Sequence, residues 1–187
     1  MSLLRIRIFG DPVLRAEARE VDAFDEKLRT LADDMLETMR EAPGVGLAAN
    51  QVGVLKRLFT YELAEDDQGA IVNPVLADAS DELLADEEGC LSFPGLFYPV
   101  ERPERVEVHY QDLDGEEHVR QLEAFDARVW LHEMDHLAGV LFLDHLARHD
   151  AREARKLMRA YREEQGMDVP GQGRLANQLL GGFGGPR

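Results

Sequence analysis

From Asp25 to Glu41 the apolar residues Leu28, Leu31, Met35 and Met39 recur at helical spacing within an otherwise polar run. That period predicts an amphipathic helix, stopped by Pro43 and Gly44. An extended N-terminal segment precedes it. Arg57 to Leu63 and Ala70 to Leu76 predict short strands around an acidic loop at Glu65, Asp66 and Asp67. Arg105 to Tyr110 alternates polar and apolar residues, and Asp114-Gly115 gives a tight-turn signal before Glu116 to Leu122, which together predict a hairpin.

Between these elements the pattern is broken by small residues. Gly44-Val45-Gly46-Leu47-Ala48-Ala49-Asn50-Gln51 suits a place where backbone approaches another backbone or a ligand closely. Glu88 to Gly95 follows an acidic segment, is punctuated by Gly89, Pro94 and Gly95, and reads as a strand end and loop. From Phe125 to Ala138 the apolar positions Val129, Trp130, Met134 and Leu137 predict a mostly buried helix that breaks at Gly139. A second helix is expected from about Asp144 to Glu164, and residues 166–187 are glycine-rich without a usable period, which predicts a mobile tail.

With 187 residues, 44% hydrophobic and 31% charged, the chain is expected to form one soluble domain. No window approaches the roughly 20 consecutive apolar residues of a membrane span, and the N-terminus lacks a signal-peptide pattern, so the expected compartment is the cytoplasm. A net charge of −16 argues against extended binding to DNA or an anionic membrane surface. The exception is local: Arg148, Arg152, Arg155, Lys156, Arg159 and Arg162 make the last predicted helix basic. Cys90 is the single cysteine, so its role is packing, metal binding or catalysis.

His132-Glu133-Met134-Asp135-His136 is an H-E-x-x-H pattern inside the predicted buried helix. At i, i+4 both imidazoles share a face and can bind one metal ion, with Glu133 beside them as general base. Two chance helical histidines are the plain alternative. A catalytic site usually has a third protein ligand. Gly139 begins the longer metzincin signature, but Phe142 stands where that signature needs histidine. His109, His118, His145, His149, Cys90 and the carboxylates remain candidates on residue type alone.

The motifs together resemble the peptide deformylase family. Glu88-Gly89-Cys90-Leu91-Ser92 is similar to its E-G-C-L-S motif, Gly44 to Gln51 to its G-x-G-L-A-A-x-Q, and His132 to His136 to its H-E-x-D-H. Phe9-Gly10-Asp11-Pro12-Val13-Leu14-Arg15 resembles its N-terminal segment, so the likeness spans about residues 5–160. The resemblance implies an α+β fold, a single domain with antiparallel sheets around a central metal-binding helix, plus a C-terminal helix. It places the catalytic domain at 1–165. It further implies removal of the formyl group from N-terminal formyl-methionine of nascent chains.

Carried over by motif, Cys90, His132 and His136 bind one divalent metal ion, with water as the fourth ligand. Ferrous iron is the ion implied in cells, with zinc, nickel or cobalt able to replace it. Glu133 serves as base, the Gln51 amide and Leu91 backbone N–H stabilise the charge growing on the formyl oxygen, and Gly44, Val45, Gly46 and Gly89 receive an extended substrate. Val45, Phe125 and Val129 are candidates for the methionine pocket, with core packing the plain alternative. The implied partners are N-formyl-methionyl peptides and the ribosome, the latter through the basic helix, with a solvated helix face as alternative. The protein is expected to be a monomer. Leu131, where glutamine is usual, and Gly95-Leu96-Phe97, where many bacterial members carry an arginine, depart from the pattern. A silent peptide-binding relative would have lost Glu133 or a ligand, and an endopeptidase would need a third His or Glu downstream. Neither holds here.

Overall fold

The computed structural model describes residues 2–167. Asp25 caps the first helix by accepting a hydrogen bond from the Leu28 N–H, and α1 runs Glu26–Glu41. Strands β1 (Gly46–Ala48), β2 (Leu58–Ala64) and β3 (Asp67–Ala79) follow, then β4 (Leu83–Gly89), β5 (Phe97–Pro103), β6 (Arg105–Gln111) and β7 (Glu117–Glu123). Helix α2 spans Ala124–Leu137 and α3 spans Arg148–Glu164. One antiparallel sheet has the order β1-β2-β3-β6-β7, and β4 pairs with β5 in a separate two-stranded ribbon.

Successive residues of β2 face opposite sides of the large sheet, and both sides are covered. Phe59 and Tyr61 join Ile71, Val106, Val108, Leu122 and the α2 residues Ala127, Val129, Trp130, Leu131 and Leu137 in one core. Leu58 and Val72 join Leu28, Met35 and Met39 of α1 in a second. Burial on both faces explains why β2 opens with a continuous buried run, Leu58 to Tyr61, rather than an alternation. Fully buried side chains such as Leu58 and Ile71 each contribute about 1.5–3 kcal/mol, and Trp130 anchors the α2 side with edge contacts to Phe59 and Tyr110. Helix α2 is thereby held as the central element.

Gly139 ends this helix region in the left-handed conformation, φ 72°. A Cβ there would also sit 2.7 Å from the Arg15 carbonyl oxygen, so both backbone shape and space require glycine.

The expected hairpin is β6–β7, turned at Asp112 to Glu116, where the Asp112 carboxylate accepts from the Asp114 and Glu116 N–H groups. Two expectations are corrected. Asp67 belongs to β3, which is 13 residues long because bulges near Asn73–Pro74 and Ala77 let it bend along β6. The acidic stretch before Gly89, for which no element was expected, is strand β4, paired along its length with β5, with Leu83 to Glu87 exposed and Glu88 buried. The last helix starts at Arg148, since Phe142–Asp144 forms a 3-10 turn instead.

The described residues divide into two compact units, one ending at Leu146 and the other beginning at Ala147. In the second, α3 shows the spacing Ala151, Ala154, Met158 on its apolar face. The tail expected over 166–187 lies outside the described residues from 168 onward. Among the described residues no helix is long and apolar enough to cross a membrane.

Candidate metal centre

The end of β4 and one face of α2 bring together the three candidate ligands. Donor atoms of Cys90, His132 and His136 all lie within 4.8 Å of one another. Cys90 Sγ is 3.2 Å from His136 Nε2, and the two imidazole rings meet edge to face at 4.9 Å, as i, i+4 spacing on a helix provides. Both histidines are buried and Cys90 is half-buried. One thiol sulfur and two imidazole nitrogens match a tetrahedral transition-metal site with one open position. The donor set and its spacing fit such an ion.

A buried carboxylate orients the centre. Glu88 Oε2 is 3.0 Å from His132 Nδ1, which leaves Nε2 as that ring's ligand atom. The same carboxylate accepts from Arg102 Nε at 2.8 Å and Nη2 at 3.0 Å, and from Arg128 Nη1 at 2.9 Å. Burial acts to raise the Glu88 pKa, but the hydrogen bonds from His132 and Arg102 outweigh it and hold the carboxyl well below its usual range. Arg128 also donates to the Val100 carbonyl oxygen, and Arg102 reaches Asp135 at 2.6 Å. Asp135 in turn meets His145 Nε2 at 2.8 Å. At His136, burial and the neighbouring His132 push the pKa well below normal, favouring the neutral form a metal requires.

Glu133 lies beside the ligands and is buried, with Oε2 making no hydrogen bond among the described residues. Burial pushes its carboxyl up to about 7, against the opposing charge of His132. Space for it comes from Gly46, where a Cβ would lie 2.9 Å from Glu133 Cγ and Cδ. Gly44 and Gly89 are filled in the same way by Leu91 and Phe97. Gln51 is almost wholly buried, its side-chain oxygen accepting from the Ala48 N–H at 2.7 Å and its Nε2 lying 3.6 Å from Cys90 Sγ.

These groups line a cavity of about 670 Å³ that also includes Leu91 and all four expected substrate-binding residues, Gly44, Val45, Gly46 and Gly89. The three methionine-pocket candidates line it too, with Val45 and Phe125 exposed and Val129 buried in the sheet–helix core. Of the departures from the family pattern, Leu131 is core, while Phe97 is 64% exposed and lines the cavity. The other histidines sit elsewhere: His109 pairs with Glu107, His118 with Asp112, His145 with Asp135 and His149 with Asp150. Geometry therefore selects Cys90 from the third-ligand candidates.

Sequence reasoning missed the Glu88, Arg102, Arg128 and Asp135 network. Glu88 had a signal only in its place two residues before Cys90, within the same short motif. Arg102 had none, because its partner follows only from the register Glu88 to Tyr98 and Leu84 to Arg102.

Comparisons with known proteins identify the family of the chain. A family model described as polypeptide deformylase matches residues 3–152. The peptide deformylase of Parafrankia sp. (strain EAN1pec) is 46% identical over 170 residues, 91% of each chain. The crystal structure of a peptide deformylase from Legionella pneumophila aligns with TM-score 0.84 at 36% identity, covering 90% of this chain and 100% of that one. The Ehrlichia chaffeensis peptide deformylase in complex with actinonin aligns with TM-score 0.82 at 37% identity, covering 88% and 98%.

Proposed function

Since this chain belongs to the polypeptide deformylase family, metal-dependent hydrolases that remove the N-formyl group from nascent polypeptides, we propose that Cys90, His132 and His136 hold its metal and that Glu133, Gln51 and Leu91 carry out its chemistry. The observation that carries this assignment is the convergence of one sulfur and two imidazole nitrogens within 4.8 Å beside a buried carboxylate. A divalent ion held there supplies Lewis-acid activation of water and of the formyl carbonyl.

The chain's own groups handle protons and charge. The Glu133 carboxylate takes a proton from the attacking water and delivers it to the departing amine nitrogen. Burial, which raises this carboxyl above its ordinary value, favours its holding the proton between the two steps. The Gln51 Nε2–H and the Leu91 backbone N–H donate to the formyl oxygen as negative charge grows on it. Formate and the free amine of methionine are the products. Gly44, Val45, Gly46 and Gly89 receive the extended peptide, and Val45, Phe125 and Val129 take the methionine side chain, an unbranched apolar group suited to this lining.

Ferrous iron is the ion proposed in cells, with zinc, nickel or cobalt as replacements, because thiolate and imidazole suit them all. The catalytic domain is read as 1–165, acting as a cytoplasmic monomer. Helix α3 presents Arg148, Arg152, Lys156 and Arg159 to solvent, a basic face suited to phosphate contacts on the ribosome. The deciding experiment is formate release from formyl-Met-Ala-Ser by protein purified without oxygen and loaded with nickel or ferrous iron. Release that disappears in Glu133→Ala is expected. No formate from protein holding one metal ion would overturn the assignment.

A further inference from the structure

Gln51 carries one amide oxygen and two N–H donors on a side chain that is 1% exposed. The oxygen is fixed by the Ala48 backbone N–H, which can only donate, so the opposite amide orientation is excluded. The amide nitrogen then faces two groups: Ser92 Oγ at 3.2 Å and Cys90 Sγ at 3.6 Å. Ser92 is itself wholly buried. Its carbonyl oxygen accepts from the Phe9 N–H at 2.9 Å, and the next residue's N–H donates to the Cys90 carbonyl oxygen at 2.8 Å. Phe93 is clamped between the rings of Phe9 and Phe142 at 5.1 and 5.0 Å. The turn that carries Ser92 is therefore rigid.

We propose that Ser92 is a positioning residue for deformylation: its hydroxyl oxygen accepts one Nε2 proton of Gln51 and thereby turns the other toward Cys90 and the reacting formyl oxygen. This rests on the reading of Gln51 as the donor to that oxygen. The terminal torsion of a glutamine is broad and two-fold, so the Ala48 contact alone leaves the plane of the amide free to swing. A second fixed point on the nitrogen removes that freedom before substrate arrives, which is what stabilisation of developing charge requires. The interaction matters most in the transition state, so its loss falls on kcat rather than KM.

The test is a double-mutant cycle on nickel-loaded protein, with kcat and KM for formyl-Met-Ala-Ser, metal content and melting temperature measured for wild type, Ser92→Ala, Gln51→Ala and the double variant. Removing a donor of this kind costs about a hundredfold in kcat, and loosening it about tenfold. Ser92→Ala is thus expected to lose about tenfold in kcat with KM within about twofold and one metal ion retained. The double variant should match Gln51→Ala alone. Multiplicative losses, a wild-type kcat in Ser92→Ala, or a loss confined to KM would overturn the role of Ser92. A wild-type kcat in Gln51→Ala would instead overturn the underlying reading of Gln51. If Ser92→Ala does not fold, the wild-type side-chain amide of Gln51 decides: protons protected from solvent exchange support the proposal, and exchange at the rate of a free amide overturns it.

Discussion

A Cβ on Gly46 would lie 2.9 Å from both Cγ and Cδ of Glu133, so the candidate base rests directly on the backbone of β1. The φ of Gly46 is not in the left-handed region, and space rather than backbone conformation makes glycine necessary there. Gly46→Ala is expected to displace the carboxylate while leaving Cys90, His132 and His136 in place. A displacement of this size costs on the order of a hundredfold in kcat. Steady-state kinetics with metal analysis checks it; a variant with full kcat would mean that Glu133 relaxes without loss of function.

As the proposed base, Glu133 would trade stability for activity. Its carboxyl is buried, pushed up to about 7 by that burial, and Oε2 makes no hydrogen bond among the described residues. Glu133→Gln keeps the shape and removes the charge. Turnover should fall by about 10²–10⁴-fold as proton transfer is lost. The melting temperature, measured at pH 8 with equal metal loading, should rise by about 2–4 °C for roughly 1 kcal/mol gained. Lower stability at that pH would show that the ionised carboxylate is held by favourable contacts.

The sequence made α1, the β6–β7 hairpin and α2 legible because each carries its own period and stop signals, from Asp25 before α1 to Gly139 after α2. It made the candidate ligands His132 and His136 legible through their spacing on a helix, and Cys90 through the motif around it. Strand β4 stayed hidden because Leu83 to Glu87 is exposed and leaves no inward alternation to read. The buried ions stayed hidden for another reason. Arg102 and Arg128 look like surface residues until the register of β4 with β5 and the face of α2 bring both onto Glu88.

That cluster carries its own prediction. Glu88 pairs with both Arg102 and Arg128 and holds the His132 ring through Nδ1. Glu88→Ala leaves the buried Arg128 guanidinium without its carboxylate and Arg102 with Asp135 alone, which costs about 3–5 kcal/mol. Losing the carboxylate behind a ligating histidine weakens metal binding by about 10–100-fold. Competition with a chelator and urea unfolding measure the two effects. Normal metal affinity in a destabilised variant would confine Glu88 to the fold and remove it from the metal centre.

The last prediction concerns alkaline stability and lies away from the centre. Burial pushes the Tyr61 phenol up to about 12, Asp67 adds to the rise, and the positive Arg120 guanidinium opposes it. Arg120 donates to the Tyr61 hydroxyl at 2.9 Å and lies over the Tyr61 and Trp130 rings, so the phenol is part of the α2-facing core. An unfolded tyrosine ionises near pH 10. Below that value both states are neutral and the contribution of Tyr61 is complete. As pH rises from about 10 toward about 12 the unfolded chain ionises first, and the contribution is lost across that window. Tyr61→Phe removes the titrating hydroxyl and should flatten this part of the decline, even though losing the Arg120 contact lowers stability at every pH. Urea midpoints at pH 8.5, 10 and 11.5 for both proteins, in the same metal state, test it. Parallel declines would mean that the phenol ionises as easily in the folded chain as in the unfolded one, and that the Arg120 charge cancels the effect of burial.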